Sequence, residues 1–291
     1  HKLIYCESSG RHDSITIRGS KWFDHKNQTG GGAIKFMQEF YGMDFQTAVQ
    51  ELLGRSISPL SNSPPKADKQ EQKTREFKLP EPNSDMHRVY AYLIKQRFIS
   101  ADIITHFAKQ HTLYEDKTHH NAVFVGLNEN GEPKQAHKRS TNSVGGTFRI
   151  TCGGSDTRYS FAHFGENERL YVFEAPIDAL SHATLQELEG WKWNGYRLSL
   201  GGTSHVALTS FLERHPEIRR VTLYMDRDLA GFVNARKIKT MLHEDKRFRH
   251  IRVSVNPPRM GKDCNEKLLQ VREQLQTSQH QCRPKEAAVS I

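Results

Sequence analysis

The stretch Tyr171-Val-Phe-Glu-Ala-Pro-Ile-Asp-Ala-Leu180 runs from apolar residues to a carboxylate and then turns into a helix. Leu223-Tyr-Met-Asp-Arg-Asp-Leu-Ala-Gly231 repeats the theme, its apolar run closing on two aspartates spaced i, i+2. Such runs read as buried parallel strands, and ligands of parallel sheets gather beyond the strands' carboxyl ends. Glu174, Asp226 and Asp228 are therefore expected at one edge. Period-two alternation predicts that Asp226 and Asp228 point the same way. Carboxylates about 5 Å apart repel by roughly 3 kcal/mol at an effective dielectric of about 20, so a cation is called for. Hard oxygen donors suit Mg²⁺ or Mn²⁺, and the chemistry expected is divalent-metal phosphoryl transfer.

Outward from these runs the pattern is α/β. Strand 170–174 precedes helix 177–188, strand 196–200 precedes helix 204–214, and strand 219–225 precedes helix 229–243. A strand near 250–255 and a helix 265–275 follow, and the polar tail 276–291 is expected to be loose. Upstream, helices at 87–95 and 101–108, the latter capped by Ser100, precede a hairpin of 121–126 with 133–139. Arg149–Cys152 and Arg158–Phe161 are further strand candidates, which makes 77–168 a mixed α+β unit. Residues 55–76, rich in Ser, Pro, Lys and Gln, read as a flexible linker. Before it, 1–54 form a small module. Its strand 13–18 pairs with 21–24, a helix over 33–41 stops at Gly42, and Asp44 caps a second helix. Gly30–Gly32 is a loop or a phosphate-facing helix start, and the same alternatives hold for Gly201-Gly202-Thr203-Ser204.

The chain has 291 residues, room for two domains, and 36% hydrophobic residues. No apolar run approaches the roughly 18 residues of a membrane span, no signal peptide opens the chain, and no membrane partner is expected. The start at His1 rather than methionine is expected of a trimmed fragment. Cys6, Cys152, Cys264 and Cys282 form no CxxC pair, which fits reduced thiols in a cytoplasmic protein. A net charge of +9 around a local acidic cluster fits an enzyme that grips polyanions while its carboxylates hold metal. Candidate grips are Lys134, Lys138, Arg139, Arg149 and Arg158, with Tyr159 placed to stack a base. Each of these is, taken singly, an ordinary surface cation.

Strand-Glu, strand-Asp-x-Asp-x-x-Gly and a later acidic turn together resemble the toprim domain of bacterial primases, topoisomerases and several nucleases. Further segments are similar to primase-like toprim proteins of plasmids and conjugative elements of Gram-positive bacteria. They are Ala91–Ile94, Leu113–Asp116, His120–Gly126, Gly154–Phe161, Val172–Leu180 and Gly261-Lys-Asp-Cys-Asn-Glu266. Residues 1–54 resemble the zinc-binding module ahead of the primase polymerase domain. The cysteine knuckle is replaced by His25-Lys-Asn-Gln28, and Cys6, His12 and His25 supply three ligands at best where zinc needs four. No zinc is expected.

The resemblance implies a toprim-type parallel sheet over 169–275, with Glu174 as general acid/base and Asp226 and Asp228 as metal ligands. Asp178 is either a further metal ligand or a helix-dipole partner worth about 0.3–1 kcal/mol. Asp263 is either a metal ligand or the cap of the next helix. Asn265 stands where the family carries an aspartate, so a second ion would bind more weakly there, or Glu266 would substitute. Arg139, Arg158 and Tyr159 fall along the family's template and nucleotide groove, and Lys262 adjoins it as a nucleotide contact. The function implied is a primase, a nucleotidyltransferase that makes short RNA primers on single-stranded DNA from nucleoside triphosphates. It would serve DNA replication of a mobile element, with a helicase or relaxase as partner. The alternatives are a toprim nuclease and a non-catalytic single-strand-binding accessory.

Overall fold

The computed structural model describes residues 2–7, 10–25, 29–52, 76–142, 148–202 and 205–281. The chain divides into two compact units, His1–Gln70 and Glu71–Ile291. The first holds an antiparallel sheet of β1 (Lys2–Glu7), β2 (Gly10–Arg18), β3 (Lys21–Asp24) and β4 (Thr29–Gly31), followed by α1 (Ala33–Tyr41) and α2 (Phe45–Leu52). Trp22 is buried and packs edge-on against Phe36 and Phe40 of α1, at 5.6 and 5.0 Å between ring centres. Gly42, at φ 63°, closes α1 in the left-handed conformation that disfavours a side chain. Asp44 caps α2, accepting from Thr47 N at 3.0 Å.

Two expectations for this unit change. Gly30 and Gly31 are not a phosphate loop, because they pair with Phe23 and Trp22 as an edge strand. A Cβ at Gly30 would lie 2.7 Å from both Phe23 Cδ2 and Trp22 O, so glycine serves the close strand approach. The positions weighed for zinc largely fall outside the described residues. These are the side chains of Cys6 and His12 and residues 26–28. So do most of the expected linker and residues 282–291.

The second unit begins with α3 (His87–Ala91), which runs into a π-helical turn (Tyr92–Gln96), and α4 (Ala101–Lys109). Ser100 stands at the N-cap of α4 without a side-chain cap bond. An antiparallel sheet follows, β5 (Leu113–Glu115), β6 (Ala122–Leu127), β7 (Pro133–Arg139) and β8 (Arg149–Thr151) in that order. After β9 (Ala162–His163) come β10 (Arg169–Phe173), α5 (Pro176–Leu188), β11 (Tyr196–Ser199) and α6 (Val206–Arg214). The fold ends with β12 (Arg220–Tyr224), α7 (Leu229–Glu244), β13 (Arg252–Val255) and α8 (Cys264–Gln281). The sheet order is β13-β12-β10-β11-β9, parallel except for β9. The chain is thus α/β, a parallel sheet flanked by helices, preceded by mixed α+β structure.

Three details depart from expectation. Arg158–Phe161 is not a strand, since a turn ends at Arg158 and irregular chain follows, and the short strand is displaced to β9, which joins the parallel sheet. α8 continues to Gln281, so the expected loose tail is helical over its described part. The boundary drawn at 168/169 crosses a common core: Val89, Leu93, Phe107, Phe124 and Phe161 cluster with Leu180, Ala183 and Leu268. Fully burying such side chains stabilises by about 1.5–3 kcal/mol each, so the two halves support one another. Among the described residues, no helix is long and apolar enough to cross a membrane.

Candidate metal centre and cleft

β10 and β12 lie side by side in parallel with Phe173 opposite Tyr224, so the residues that follow meet at one sheet edge. Glu174 Oε1 accepts the Asp226 backbone N–H at 3.2 Å, which ties the two strand ends together. α5 begins at Pro176 and brings Asp178, in its first turn, under the same edge. Asp263, just before α8, arrives from the other side. It caps that helix by accepting from Glu266 N at 2.8 Å, while Glu266 accepts from Lys262 N at 2.7 Å.

The carboxylates that converge most closely are Asp178, Asp226 and Asp263, each offering an oxygen within 4.8 Å of the others. Asp263 thus caps α8 and also stands in the acidic cluster. At this spacing a pair of charges repels by about 3 kcal/mol at an effective dielectric of about 20. Asp178 is buried, and burial together with Asp263 and Asp226 holds its carboxyl well above the usual range. Burial, then Asp226, raises Glu174; burial also raises Asp226, against the opposing pull of Lys262. This hard-oxygen set around a buried carboxylate fits a divalent cation of the Mg²⁺ or Mn²⁺ kind.

Asp228 is placed differently. β12 ends at Tyr224, so strand alternation does not govern Asp226 and Asp228. Asp228 caps α7, its Oδ1 accepting Gly231 N at 2.9 Å, and that bond, then Lys262, holds its carboxyl below the usual range. Lys262 Nζ bridges Asp226 and Asp228 at 3.3 and 3.1 Å. The residue expected to touch nucleotide is therefore the counter-ion of the Asp-x-Asp pair. Gly231 explains the glycine of the motif: a Cβ there would sit 2.0 Å from Asp226 O. Gly231→Ala is expected to destabilise the protein by about 1–3 kcal/mol and to displace Asp226, read by thermal melting together with loss of Mn²⁺ binding.

The facing wall is basic. The cleft, of ≈ 90 Å³, is lined by Asp178, Asp226 and Asp263 on one side and by Arg97, His137, Arg139 and Arg149 on the other. A water needs roughly 10–15 Å³ by such a measure, so an ion and a few waters fit. Arg139 pairs with Arg149 across β7 and β8, and His137 lies two residues back on the same face. Burial, then Arg149 and Arg139, lowers His137 to about 4, so the positive charge of this wall comes from arginine.

The other expected grips lie elsewhere. Lys138 points to the opposite face of β7, where it pairs with buried Asp116 at 3.5 Å. Lys134, at the far end of the strand, is about 17 Å from Arg139 at roughly 3.4 Å per residue. It pairs with Glu132 at 3.0 Å. Arg158 grips Asp156 with its own guanidinium, at 2.6 Å for the shortest contact. Tyr159 lies under Arg214, 4.6 Å from the ring centre, and beside Arg158 at 5.8 Å.

Asn265 lines the cleft and is held by hydrogen bonds at both its amide nitrogen and its amide oxygen. It is buried, and its amide donates to Arg97 O at 2.9 Å and Ser181 Oγ at 3.0 Å while accepting from Arg97 Nη1 at 3.0 Å. Its backbone N–H donates to Asp178 Oδ1 at 3.2 Å. Arg97 thereby belongs to the site, although sequence spacing carried no signal for it. Of the Gly201–Ser204 loop, Gly201 and Gly202 have positive φ of 65° and 152°, and residues 203–204 fall outside the described set.

The raised carboxyls set a pH dependence. Asp178, Asp226 and Glu174 hold protons more tightly folded than unfolded. Without divalent ions, the stability tied to them is full below the ordinary carboxylate range and is lost as pH rises through the raised values. Asp178→Asn is therefore expected to melt higher than the parent in EDTA at neutral pH, by a margin that shrinks toward about pH 4, and to lose most Mg²⁺ stabilisation. A variant that melts lower at neutral pH would contradict this.

Residues 171–268 match the family described as Toprim-like, and residues 91–167 match the family described as Protein of unknown function (DUF3991). No curated protein matches the chain. Similar solved structures include the primase fragment of the bacteriophage T7 primase-helicase protein. Its identity is 16%, over 95% of this chain and 99% of that one, with a TM-score of 0.47. The E. coli primase catalytic core has 14% identity over 67% of this chain and 73% of that one, at 0.46. The zinc-binding and RNA polymerase domains of the Aquifex aeolicus primase have 15% identity over 94% and 79%, at 0.42. These likenesses are distant; the family match and the strand order identify the fold. Residues 171–268 of this chain are a toprim-like domain.

Proposed function

We propose that this protein is a primase-type nucleotidyltransferase that makes short RNA primers on single-stranded DNA. The observation that carries the reading is the cleft, with three converging carboxylates facing two arginines on a neighbouring sheet. Asp178, Asp226 and Asp263 would hold the divalent ion, with Glu174 and Asp228 flanking them. When bound, such an ion neutralises phosphate charge and eases formation of the attacking alkoxide.

The chain's own groups would do the rest. Glu174, with its raised proton affinity, would accept the proton of the primer 3′-hydroxyl. Lys262, half exposed and held by two aspartates, would reach the triphosphate of the incoming nucleotide. Arg139 and Arg149 would hold the backbone of the template or the growing primer, by contacts that position without reading sequence. Lys134 and Arg158 would add outlying backbone contacts, and Tyr159 would stack a template base. Action on a mobile element, alongside a helicase or relaxase, belongs to the same proposal.

Purified protein is to be incubated with single-stranded DNA, labelled ribonucleotides and Mg²⁺ or Mn²⁺. New short RNA products are expected. Degradation of the template would instead support a nuclease, and binding without either reaction a non-catalytic accessory.

A further inference from the structure

A second cavity, of ≈ 350 Å³, opens between α5, the start of α8 and the segment 256–259 after β13. It shares no lining residue with the acidic cleft: Asp263 lines the cleft and Cys264 this cavity. Its volume reaches the range of small-molecule sites, which begins at about 300 Å³.

The sheet face beneath it is unusual. One face of the parallel sheet carries Leu170, Val172, Leu198, Val221 and Leu223 and packs into an apolar core. The other, turned to α5, carries Tyr171, Phe173, Arg197 and Tyr224. His182 of α5 lies among those rings, 4.7 Å from Tyr171, 5.2 Å from Phe173 and 4.6 Å from Tyr224. It is only 6% exposed, lines the cavity, and its Nδ1 has no hydrogen-bond partner. A buried polar atom left unpaired costs about 1–3 kcal/mol, so a partner is missing.

The neighbouring Arg197 is 1% exposed and makes no ion pair among the described residues. It donates to neutral acceptors only, namely Trp193 O, Gly195 O and Gln186 Oε1, and its Nε is unpartnered. Gln186, which lines the cavity, thus links it to a buried positive charge with no counter-anion among the described residues. Its rim adds Arg259 and Lys267, the latter only loosely paired with Glu189 at 3.9 Å.

We infer that this cavity binds a planar heteroaromatic anion of the nucleoside monophosphate type. The ring would lie against Tyr224 and the Pro257–Pro258 wall, His182 would turn its imidazole to bring the buried Nδ1 to a polar ring atom, and the anion would sit on Lys267 and Arg259. Occupancy would reach the acidic cluster through Arg227. That residue donates to Arg259 O by Nη1 at 3.0 Å and to Lys262 O by its backbone N–H at 2.6 Å. The site is thus built to sense a nucleotide behind the loop that carries Lys262 and Asp263. It does not depend on the catalytic reading.

The test is calorimetry and saturation-transfer NMR on the full chain in EDTA, with AMP, CMP, adenosine and inorganic phosphate as probes. At least one mononucleotide is expected to bind saturably, and adenosine and phosphate each at least about tenfold more weakly. Lys267→Gln, at the rim, should weaken the mononucleotide about tenfold and leave adenosine unchanged. His182→Phe should weaken both, and Arg149→Gln, in the wall of the acidic cleft, neither. Three results would overturn the proposal: no saturable mononucleotide binding, affinity that Lys267→Gln does not alter, or affinity that Arg149→Gln removes. The first would leave a water as the partner of His182, and the last would return the ligand to the acidic cleft.

Discussion

Asp226→Ala is expected to lower templated ribonucleotide incorporation by at least about 10³-fold while changing single-stranded DNA binding by less than about twofold. Asp226 is the hinge of the acidic edge. It belongs to the converging trio, its backbone N–H holds Glu174, and its carboxylate holds Lys262. Removing it takes away a metal donor and frees Lys262 at the same time. The template is assigned to the arginine wall, which the substitution does not touch. Incorporation within about tenfold of the parent would remove Asp226 from the reaction, and a parallel loss of DNA binding would point to a folding defect.

Asn265→Ala is expected to lower stability by about 3 kcal/mol or more, a fall in melting temperature of roughly 6–12 °C for a unit of this size. The truncation leaves the Arg97 carbonyl, the Arg97 guanidinium and Ser181 Oγ without the partner they share. Asn265→Asp, which puts a carboxylate in place of the amide, is expected to fare no better. A carboxylate there would face the Arg97 carbonyl and crowd Asp178, whose carboxyl is already held above the usual range by burial and its acidic neighbours. Thermal melts of both variants check this. An aspartate variant that melts like the parent and binds a second Mn²⁺ would show that the site is a weakened metal position after all.

The parallel strands were legible because apolar runs of strand length, each ending in a carboxylate, leave few alternatives. The meeting of Glu174 with Asp226 follows from adjacent parallel strands, and the structure has them hydrogen-bonded. Asp228 was harder to read, because its direction hung on where β12 stops, and strand ends are set by tertiary packing more than by local residues. Lys138 and Arg139 are neighbours in sequence but lie on opposite faces of β7, so grouping basic residues by proximity merged two surfaces. Asn265 looked like a degraded ligand because its partner Arg97 is 168 residues away. No local pattern encodes that pairing. Gly30 follows the same logic, since its need for glycine comes from the strand across from it, while Gly31 makes room for Lys35 of α1.

The most direct measurement is an anomalous difference map from crystals grown with Mn²⁺, read at the edge where β10 and β12 end. The account predicts a peak bonded at about 2.1 Å to oxygens of Asp178, Asp226 and Asp263, with Lys262 drawn away from Asp226. A Mn²⁺ ion bound at Asp228 and Glu174 without Asp178, or no ion at this edge while Lys262 still bridges Asp226 and Asp228, would contradict it.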